Sequence, residues 1–251
     1  MKLTKTHPLN LRTASPVNLS QLGFGGAPLG NLYRKITEAE AQATLQAAYD
    51  AGIRYFDTAP QYGLGRSEAR FGEAIGRFGR DTLQLSTKIG RLLLDCAPDE
   101  VTPEAFVDVP QKRIVFDYSY DGVMRSYEAS RDRIGVQNAD ILLVHDVDVF
   151  SQGSQQASDE KVRELFDKGG YRALDELRSA GEIAAIGAGV VRDGTAFLSL
   201  GTSGVLFAAN DAYRPDPASA VHSFCHAMPD TWHQMGVILA AAAALEWLSR
   251  L

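Results

Sequence analysis

Four ionisable side chains stand at or near the ends of apolar segments in the first 150 residues: Asp57, Tyr62, Lys88 and His145. A phenol has an ordinary pKa of about 10, which is too high for easy proton transfer near neutral pH. A nearby ammonium stabilises the phenolate, so Lys88 could lower the pKa of Tyr62 while Asp57 keeps Lys88 charged. His145 could donate a hydrogen bond to a substrate oxygen. The set predicts proton transfer at a carbonyl or alcohol, the step that accompanies hydride transfer.

Each of these side chains also has an ordinary structural explanation. Asp57 could cap a turn, Tyr62 could pack against a loop, and a single lysine or histidine is more often structural than catalytic. What favours catalysis is their joint placement at successive strand ends.

Strands and helices alternate along most of the chain. Apolar runs predict strands over 22–26, 54–59, 83–90, 139–146 and 184–190, and helices over 36–52, 67–78, 121–135 and 160–181. Thr37 and Glu40 form a capping box, Gly52 ends the first helix, and Gly169–Gly170 predicts a break in the last one. This alternation favours right-handed βαβ units and a parallel sheet, whose functional groups gather at the carboxyl ends of the strands.

Several stretches resemble the signatures of the aldo-keto reductase superfamily: FDTAPQYGLGRSE, LSTKIGR and ILLVHDVD. The resemblance implies a (β/α)₈ TIM barrel with Asp57, Tyr62, Lys88 and His145 as its catalytic tetrad. GAPLGNL, RIVFDYSYDGVMRS and VHDVDVF resemble the branch that contains D-threo-aldose (L-fucose) 1-dehydrogenases and pyridoxal 4-dehydrogenases. The resemblance extends over about residues 20 to 190.

The expected organisation is one barrel domain over residues 1–251 whose C-terminal third is shortened or incompletely represented. Roughly 60 residues follow Val190, which is too few for three further βαβ units of about 30 residues each. The family places an asparagine after strand five, where this chain has Val191, and its strand-six aromatic residue is not recognisable. An internal deletion, omitted segments and a truncated product all remain open.

The cofactor implied by the resemblance is NAD, with NADP possible. A Rossmann fingerprint is excluded because GFGGAP has Pro28 at the last glycine position. The stretch LGTSGVLFAANDAYRPDP resembles the family loop that contacts the pyrophosphate, which would assign backbone contacts to Ser203, Gly204 and Val205. An ordinary Gly/Ser turn explains the stretch equally well. The absence of a recognisable basic cluster near the C-terminus favours NAD over NADP.

The stretch HSFCHAMPDTWH contains metal-ligating residue types, including His222, Cys225, His226 and His233. It lacks the glutamate of an H-E-x-x-H motif and a second ligand pair, so we expect an ordinary polar helix and no metal. Cys96 and Cys225 lie far apart, which gives no disulfide framework and suits a reducing compartment.

The composition limits which kinds of binding partner and which cellular location are expected. A net charge of −6 with no basic stripe argues against nucleic acid as a partner. The longest apolar run, Val237 to Leu245, is too short to span a bilayer, and the N-terminus lacks a signal-peptide core. We therefore expect a cytoplasmic protein acting on a small-molecule carbonyl or alcohol; the sequence leaves its oligomeric state open.

The function expected from these observations is that of an NAD(P)-dependent oxidoreductase acting on CH–OH groups. Its substrate would be a sugar hemiacetal, a small alcohol or an aldehyde. The alternative is a non-catalytic or remnant homologue that keeps the tetrad, lacks a complete cofactor cradle and acts as a binding protein.

Overall fold

The contacts within the chain outline two units. The single barrel domain expected over residues 1–251 stays a prediction. The computed structural model describes residues 6–9, 17–20, 22–147, 149–186, 196–200, 204–210, 212–216, 222–225 and 232–238. The first unit comprises Met1–Gln21 and Gly26–Gly187, and the second comprises Leu22–Gly25 and Ala188–Leu251. No helix among the described residues is long and apolar enough to cross a membrane.

Helices in the first unit follow the predicted pattern closely. They are α1 (Glu38–Asp50), α2 (Arg66–Phe78), α3 (Tyr120–Ile134), α4 (Val149–Gln152), α5 (Gln155–Asp167) and α6 (Gly170–Ser179). The predicted capping box of α1 is present, because Glu40 N donates to Thr37 Oγ1 at 3.2 Å and Thr37 N donates to Glu40 Oε2 at 2.7 Å. The predicted break between α5 and α6 is also present, with Gly169 in the left-handed region at φ +79°.

A parallel sheet forms the centre of the first unit. Its strands β4 (Tyr55–Asp57), β5 (Gln84–Ile89), β8 (Ile141–Val144) and β9 (Ala185–Ile186) pair in that order, all parallel. The register places Asp57 opposite Ser86 and Lys88 opposite Leu143. The predicted α/β class is therefore confirmed. A complete barrel of this kind requires eight strands.

Two antiparallel pairs accompany the sheet. Strand β1 (Thr6–Leu9) pairs with β2 (Val17–Ser20) near the N-terminus. The segment after β5 contains a hairpin of β6 (Arg91–Asp95) and β7 (Lys112–Phe116), with Arg91 opposite Phe116. This hairpin begins one residue after Gly90, so it lies next to the carboxyl end of β5.

The core of the first unit lies between the sheet and its helices. Phe56 of β4 and Phe71 of α2 are each 1% exposed, and their rings meet edge to face with centroids 5.9 Å apart. Burial of such a side chain stabilises the fold by roughly 1.5–3 kcal/mol. A buried ion pair connects α2 to α3, because Arg133 Nε donates to Glu68 Oε2 at 2.6 Å, and Glu68 also accepts from Thr87 of β5. These contacts hold β5 against two helices.

The second unit has a different architecture. It contains β3 (Gly23–Gly25), β10 (Ala196–Leu200), β11 (Gly204–Asn210), β12 (His222–Cys225) and β13 (Trp232–Ile238). Strands β10, β11, β13 and β12 form an antiparallel sheet in that order. The polar helix predicted over 222–233 is wrong, since His222–Cys225 pairs as a strand with β13. An antiparallel sheet does not supply the further parallel strands of a barrel, so these described strands are not the missing βαβ units.

Candidate active site

Two neighbouring parallel strands bring Asp57 and Lys88 together. Asp57 is the last residue of β4, and Lys88 lies two positions beyond its partner Ser86 on β5, which points both side chains to one face. Lys88 Nζ lies 2.7 Å from each carboxylate oxygen of Asp57 and 3.0 Å from Thr58 O. Burial alone would lower the pKa of Lys88, but the charges of Asp57 and Tyr62 outweigh it, so that pKa is raised. The ammonium therefore stays charged.

A close backbone contact fixes the loop that carries Tyr62. Tyr62 N donates to Ala59 O at 3.1 Å, and Ser67 N at the start of α2 donates to Tyr62 O at 3.1 Å. Gly63 has φ +66°, and a Cβ at that position would lie 2.3 Å from Gly30 O. Only glycine fits such a left-handed position at that distance from the backbone. The glycine next to Tyr62 therefore has a positioning role.

The ring of Tyr62 lies between the other ionisable groups. Lys88 Nζ is 5.1 Å from its centroid, and the ring of His145 stands edge-on at 6.0 Å and 88°. Phe106 covers it at 6.2 Å. Burial raises the pKa of Tyr62 above its ordinary value of 10.0, and the charge of Lys88 opposes that rise without reversing it. The expectation that Lys88 brings this pKa below that of a free phenol is therefore wrong for the described structure, because burial is the larger effect.

His145 directly follows β8 and is deeply buried. Its backbone N donates to Ile89 O at 3.0 Å, and its carbonyl oxygen accepts from the Tyr118 hydroxyl. Only 5% of the residue is exposed. Burial, with the positive charges of Lys88 and Arg91, lowers the pKa of His145 from 6.5 to about 2. The imidazole is therefore neutral across the physiological range.

A carboxylate not identified from the sequence lies beside this imidazole. Asp146 Oδ2 is 3.2 Å from His145 Nε2, and Arg91 donates to the same oxygen at 2.6 Å. A carboxylate at that distance favours the single imidazole proton on Nε2. His145 Nδ1 is buried and has no hydrogen-bond partner among the described residues. Asp146, which Arg91 holds in place, therefore influences which ring nitrogen of His145 carries the proton.

Two further residues on the strands were also missed. Ser86 Oγ donates to Asp57 Oδ1 at 2.6 Å, and Tyr55 Oη lies 3.0 Å from Ser86 Oγ. The available signal was the period of two, since Tyr55 and Ser86 each precede a tetrad residue by two positions and so share its face. The sequence stretches RYFDTA and LSTKIG contain that signal.

The four residues predicted to form a tetrad all lie in the first unit, whereas the residues expected to contact pyrophosphate do not. Ser203 and Val191 fall outside the described residues, and Gly204 and Val205 are the first two residues of β11. Their contact with NAD stays a prediction. No group of three potential metal ligands occurs in the described part of the chain.

The described residues fit the reacting end of a nicotinamide coenzyme. They offer a phenol beside a buried ammonium, with a neutral imidazole edge-on to the phenol ring, and a phenol of this kind is suited to proton exchange with a carbonyl or alcohol oxygen. When bound, such a coenzyme supplies the hydride. The phosphate end of the coenzyme has no assigned contact among these residues.

Comparison with known proteins gives the family. Residues 21–191 match the family described as Aldo/keto reductase family. The chain belongs to this family. Over 183 residues it is 41% identical to a pyridoxal 4-dehydrogenase from Microbacterium luteolum, covering 69% of this chain and 53% of the relative. Over 180 residues it is 37% identical to a D-threo-aldose 1-dehydrogenase from Pseudomonas sp, covering 70% and 51%. The chain thus spans about half the length of these relatives.

Solved structures agree with the family. An aldo-keto reductase structure from Pseudomonas aeruginosa is 27% identical, with a TM-score of 0.54, and the match covers 74% of this chain and 60% of that one. The aldo-keto reductase type of α/β fold expected from the sequence is therefore confirmed.

A second, unrelated similarity is present. Over 67 residues, the chain is 54% identical to the xylulose kinase of Escherichia coli (strain K12). That match covers 27% of this chain and 14% of the kinase. A short match at such high identity does not follow from membership of the reductase family.

Proposed function

We propose that the first unit is an oxidoreductase site that interconverts a carbonyl and an alcohol with a nicotinamide cofactor. The observation that supports this most is the position of Tyr62, whose ring lies 5.1 Å from Lys88 Nζ and 6.0 Å from the ring of His145. A buried phenol beside a buried ammonium has little use in packing alone, and it suits proton transfer.

In this proposal Tyr62 moves the proton. In the reducing direction its hydroxyl donates a proton to the substrate oxygen, and its raised pKa means that the protonated form prevails near neutral pH. In the oxidising direction its phenolate accepts the proton from the alcohol. Lys88 stabilises that phenolate, Asp57 keeps Lys88 charged and in place, and His145 orients the substrate oxygen as a neutral group.

The proposed substrate is a sugar hemiacetal, a small alcohol or an aldehyde. The names of the pyridoxal 4-dehydrogenase and the D-threo-aldose 1-dehydrogenase support this class. NAD is the proposed coenzyme, with NADP as the alternative. The acidic composition and two distant cysteines support the reducing cytoplasm as its location.

The proposal is tested by coenzyme binding and turnover together. Thermal unfolding with NAD⁺ or NADP⁺ at a hundred-fold excess over Kd should show a stabilisation of about 2.7 kcal/mol for the preferred coenzyme. Oxidation of D-threo-aldoses and of pyridoxal should then produce reduced coenzyme. The proposal is contradicted if neither coenzyme stabilises the protein against thermal unfolding and no alcohol is oxidised.

A specific observation favours a second candidate, the remnant homologue. The described sheet that contains β4, β5, β8 and β9 has fewer strands than the eight of a barrel, and the chain spans about half of its reductase relatives. Such a protein would keep the tetrad without turnover. Absence of coenzyme binding in a folded protein favours this candidate.

We also propose that the kinase-like residues correspond to the second unit. The reductase match ends at residue 191, close to the boundary between Gly187 and Ala188, and the 183 and 67 matched residues together nearly fill the chain. The antiparallel sheet after Ala188 is consistent with a separate origin. On this proposal Ser203, Gly204 and Val205 would not serve a reductase coenzyme. Intact mass and gene sequence of the purified protein test whether both segments belong to one continuous chain.

A further inference from the structure

A chain of hydrogen bonds connects Tyr55 and Ser86, on adjacent strands of the sheet, to the Asp57–Lys88 pair. Tyr55 Oη and Ser86 Oγ lie 3.0 Å apart, and Ser86 Oγ lies 2.6 Å from Asp57 Oδ1. The same carboxylate oxygen accepts from Lys88 Nζ at 2.7 Å. Ser86 is fully buried and Lys88 is 9% exposed. This chain of hydrogen bonds therefore runs within the protein and ends at the ammonium beside Tyr62.

The direction of these hydrogen bonds is fixed by chemistry. An ionised carboxylate has no proton to donate, so the single proton of Ser86 must go to Asp57. Ser86 Oγ can then only accept from Tyr55, which must be the donor. Burial and the charge of Asp57 raise the pKa of Tyr55 to about 12, so this phenol keeps its proton. Tyr55 thus polarises Ser86, and Ser86 holds Asp57 Oδ1.

Holding Oδ1 determines where the ammonium of Lys88 lies. Asp57 is the last residue of its strand, and 23% of its side chain is exposed, so rotation towards solvent is open to it. The bond from Ser86 opposes that rotation and keeps both carboxylate oxygens 2.7 Å from Lys88 Nζ. Without it, the favourable charge of Asp57 weakens while the burial of Lys88 stays the same.

We propose that Ser86 and Tyr55 are positioning residues that hold Asp57 against Lys88 and so maintain the positive charge beside Tyr62. This inference rests on the proposed function of Tyr62 in proton transfer. Neither residue touches the reacting atoms, and both act through Asp57.

The test is the titration of Lys88, which can be followed without turnover. The protein is labelled with ¹³C-lysine, and the Cε signal of Lys88, assigned by its loss in Lys88→Met, is followed by NMR into the alkaline range. In Ser86→Ala the titration midpoint should move to lower pH by about one unit, which is a tenfold change in proton affinity. Tyr55→Phe, nearly isosteric, should move it in the same direction by less.

A matched control comes from the same strand. Thr87 points to the opposite face of β5, where its hydroxyl bonds Glu68, so Thr87→Val also removes one buried hydroxyl. It should leave the titration of Lys88 unchanged. The pH inflection for oxidation should shift in Ser86→Ala and stay in place in Thr87→Val.

The outcomes separate the two proposals. An unchanged Lys88 titration in both Ser86→Ala and Tyr55→Phe overturns the positioning role, whatever the enzyme does. If the Lys88 titration shifts in the variants while the parent protein shows no turnover, the positioning role is supported. The proposed function is then the one that fails.

Discussion

The ammonium of Lys88 and the carboxylate of Asp57 form a bidentate buried pair, with Nζ 2.7 Å from both oxygens. The pair connects the carboxyl ends of β4 and β5, and Thr58 O accepts a further bond from the same ammonium. Because the two charges compensate each other, a cation can remain in a largely buried position beside Tyr62. This relationship underlies the first two predictions.

Replacing Asp57 by Asn should destabilise the protein strongly. It leaves Lys88, whose side chain is 11% exposed, as a buried charge without its counter-ion. Breaking a buried pair in this way typically costs about 3–5 kcal/mol of unfolding free energy. Urea unfolding measures the loss, with the exposed Asp81→Asn as the control that should change little. A loss no larger than that of the control would mean that the pair is not buried as described.

Replacing Lys88 by Met should move the pH dependence of oxidation upward. Oxidation requires the phenolate of Tyr62, and Lys88 lowers the pKa that burial raises. Without the ammonium, burial acts unopposed, so the inflection in kcat/KM for oxidation appears at higher pH and reduction stays fast over a wider range. Rates of oxidation from neutral to alkaline pH measure this. An inflection at the same pH in both proteins would separate Lys88 from the titration of Tyr62.

His145 should make the protein lose stability in acid. Its folded-state pKa of about 2 lies below the ordinary value of 6.5, so the unfolded chain binds a proton that the folded protein excludes. The stability is complete above pH 6.5 and falls as the pH decreases towards 2, by up to about 1.4 kcal/mol per pH unit from this group. Urea unfolding at several pH values should show a shallower slope in His145→Gln. Equal slopes in the two proteins contradict a buried neutral His145.

Gly63→Ala should both destabilise the protein and displace Tyr62. The added Cβ would lie 2.3 Å from Gly30 O, at a residue with φ +66°. A strained residue of this kind costs roughly 1–3 kcal/mol before any clash is counted. Gly76→Ala is the matched control, because nothing lies within 4 Å of its Cβ in α2, and it should stabilise by about 0.5–1 kcal/mol. Thermal unfolding distinguishes the two substitutions. Equal effects would show that the contact with Gly30 is not tight.

Local signals explain why much of the first unit was predictable from the sequence. The capping box at Thr37 and Glu40, the glycine break at Gly169 and the alternation of strands with helices depend on neighbouring residues. The rule that side chains at the carboxyl ends of parallel strands converge predicted that the candidate residues would meet, whereas their assignment as a catalytic tetrad came from the family resemblance and stays a prediction.

Other features depend on contacts between distant residues. The pKa of Tyr62 reflects a balance of burial against the charge of Lys88, and no sequence spacing gives the degree of burial. Asp146 lies 3.2 Å from His145 Nε2, and Arg91 of β6 donates to the same carboxylate oxygen, a contact across 55 positions of sequence. The segment His222–Cys225 was predicted as a polar helix when read alone, and it pairs as a strand with β13, from Cys225 opposite Trp232 to His222 opposite Met235. Pairing of this kind overrides local propensity.

The central claim is that Tyr62 transfers the proton, and Tyr62→Phe tests it most directly. The substitution keeps the ring packed against Phe106 and His145 and removes only the hydroxyl. The measurement is kcat for alcohol oxidation, together with coenzyme affinity from thermal shifts, in the parent and the variant. The account predicts that kcat falls by about 10²–10⁴-fold while coenzyme affinity stays nearly unchanged. Turnover at the parent rate in Tyr62→Phe would contradict it.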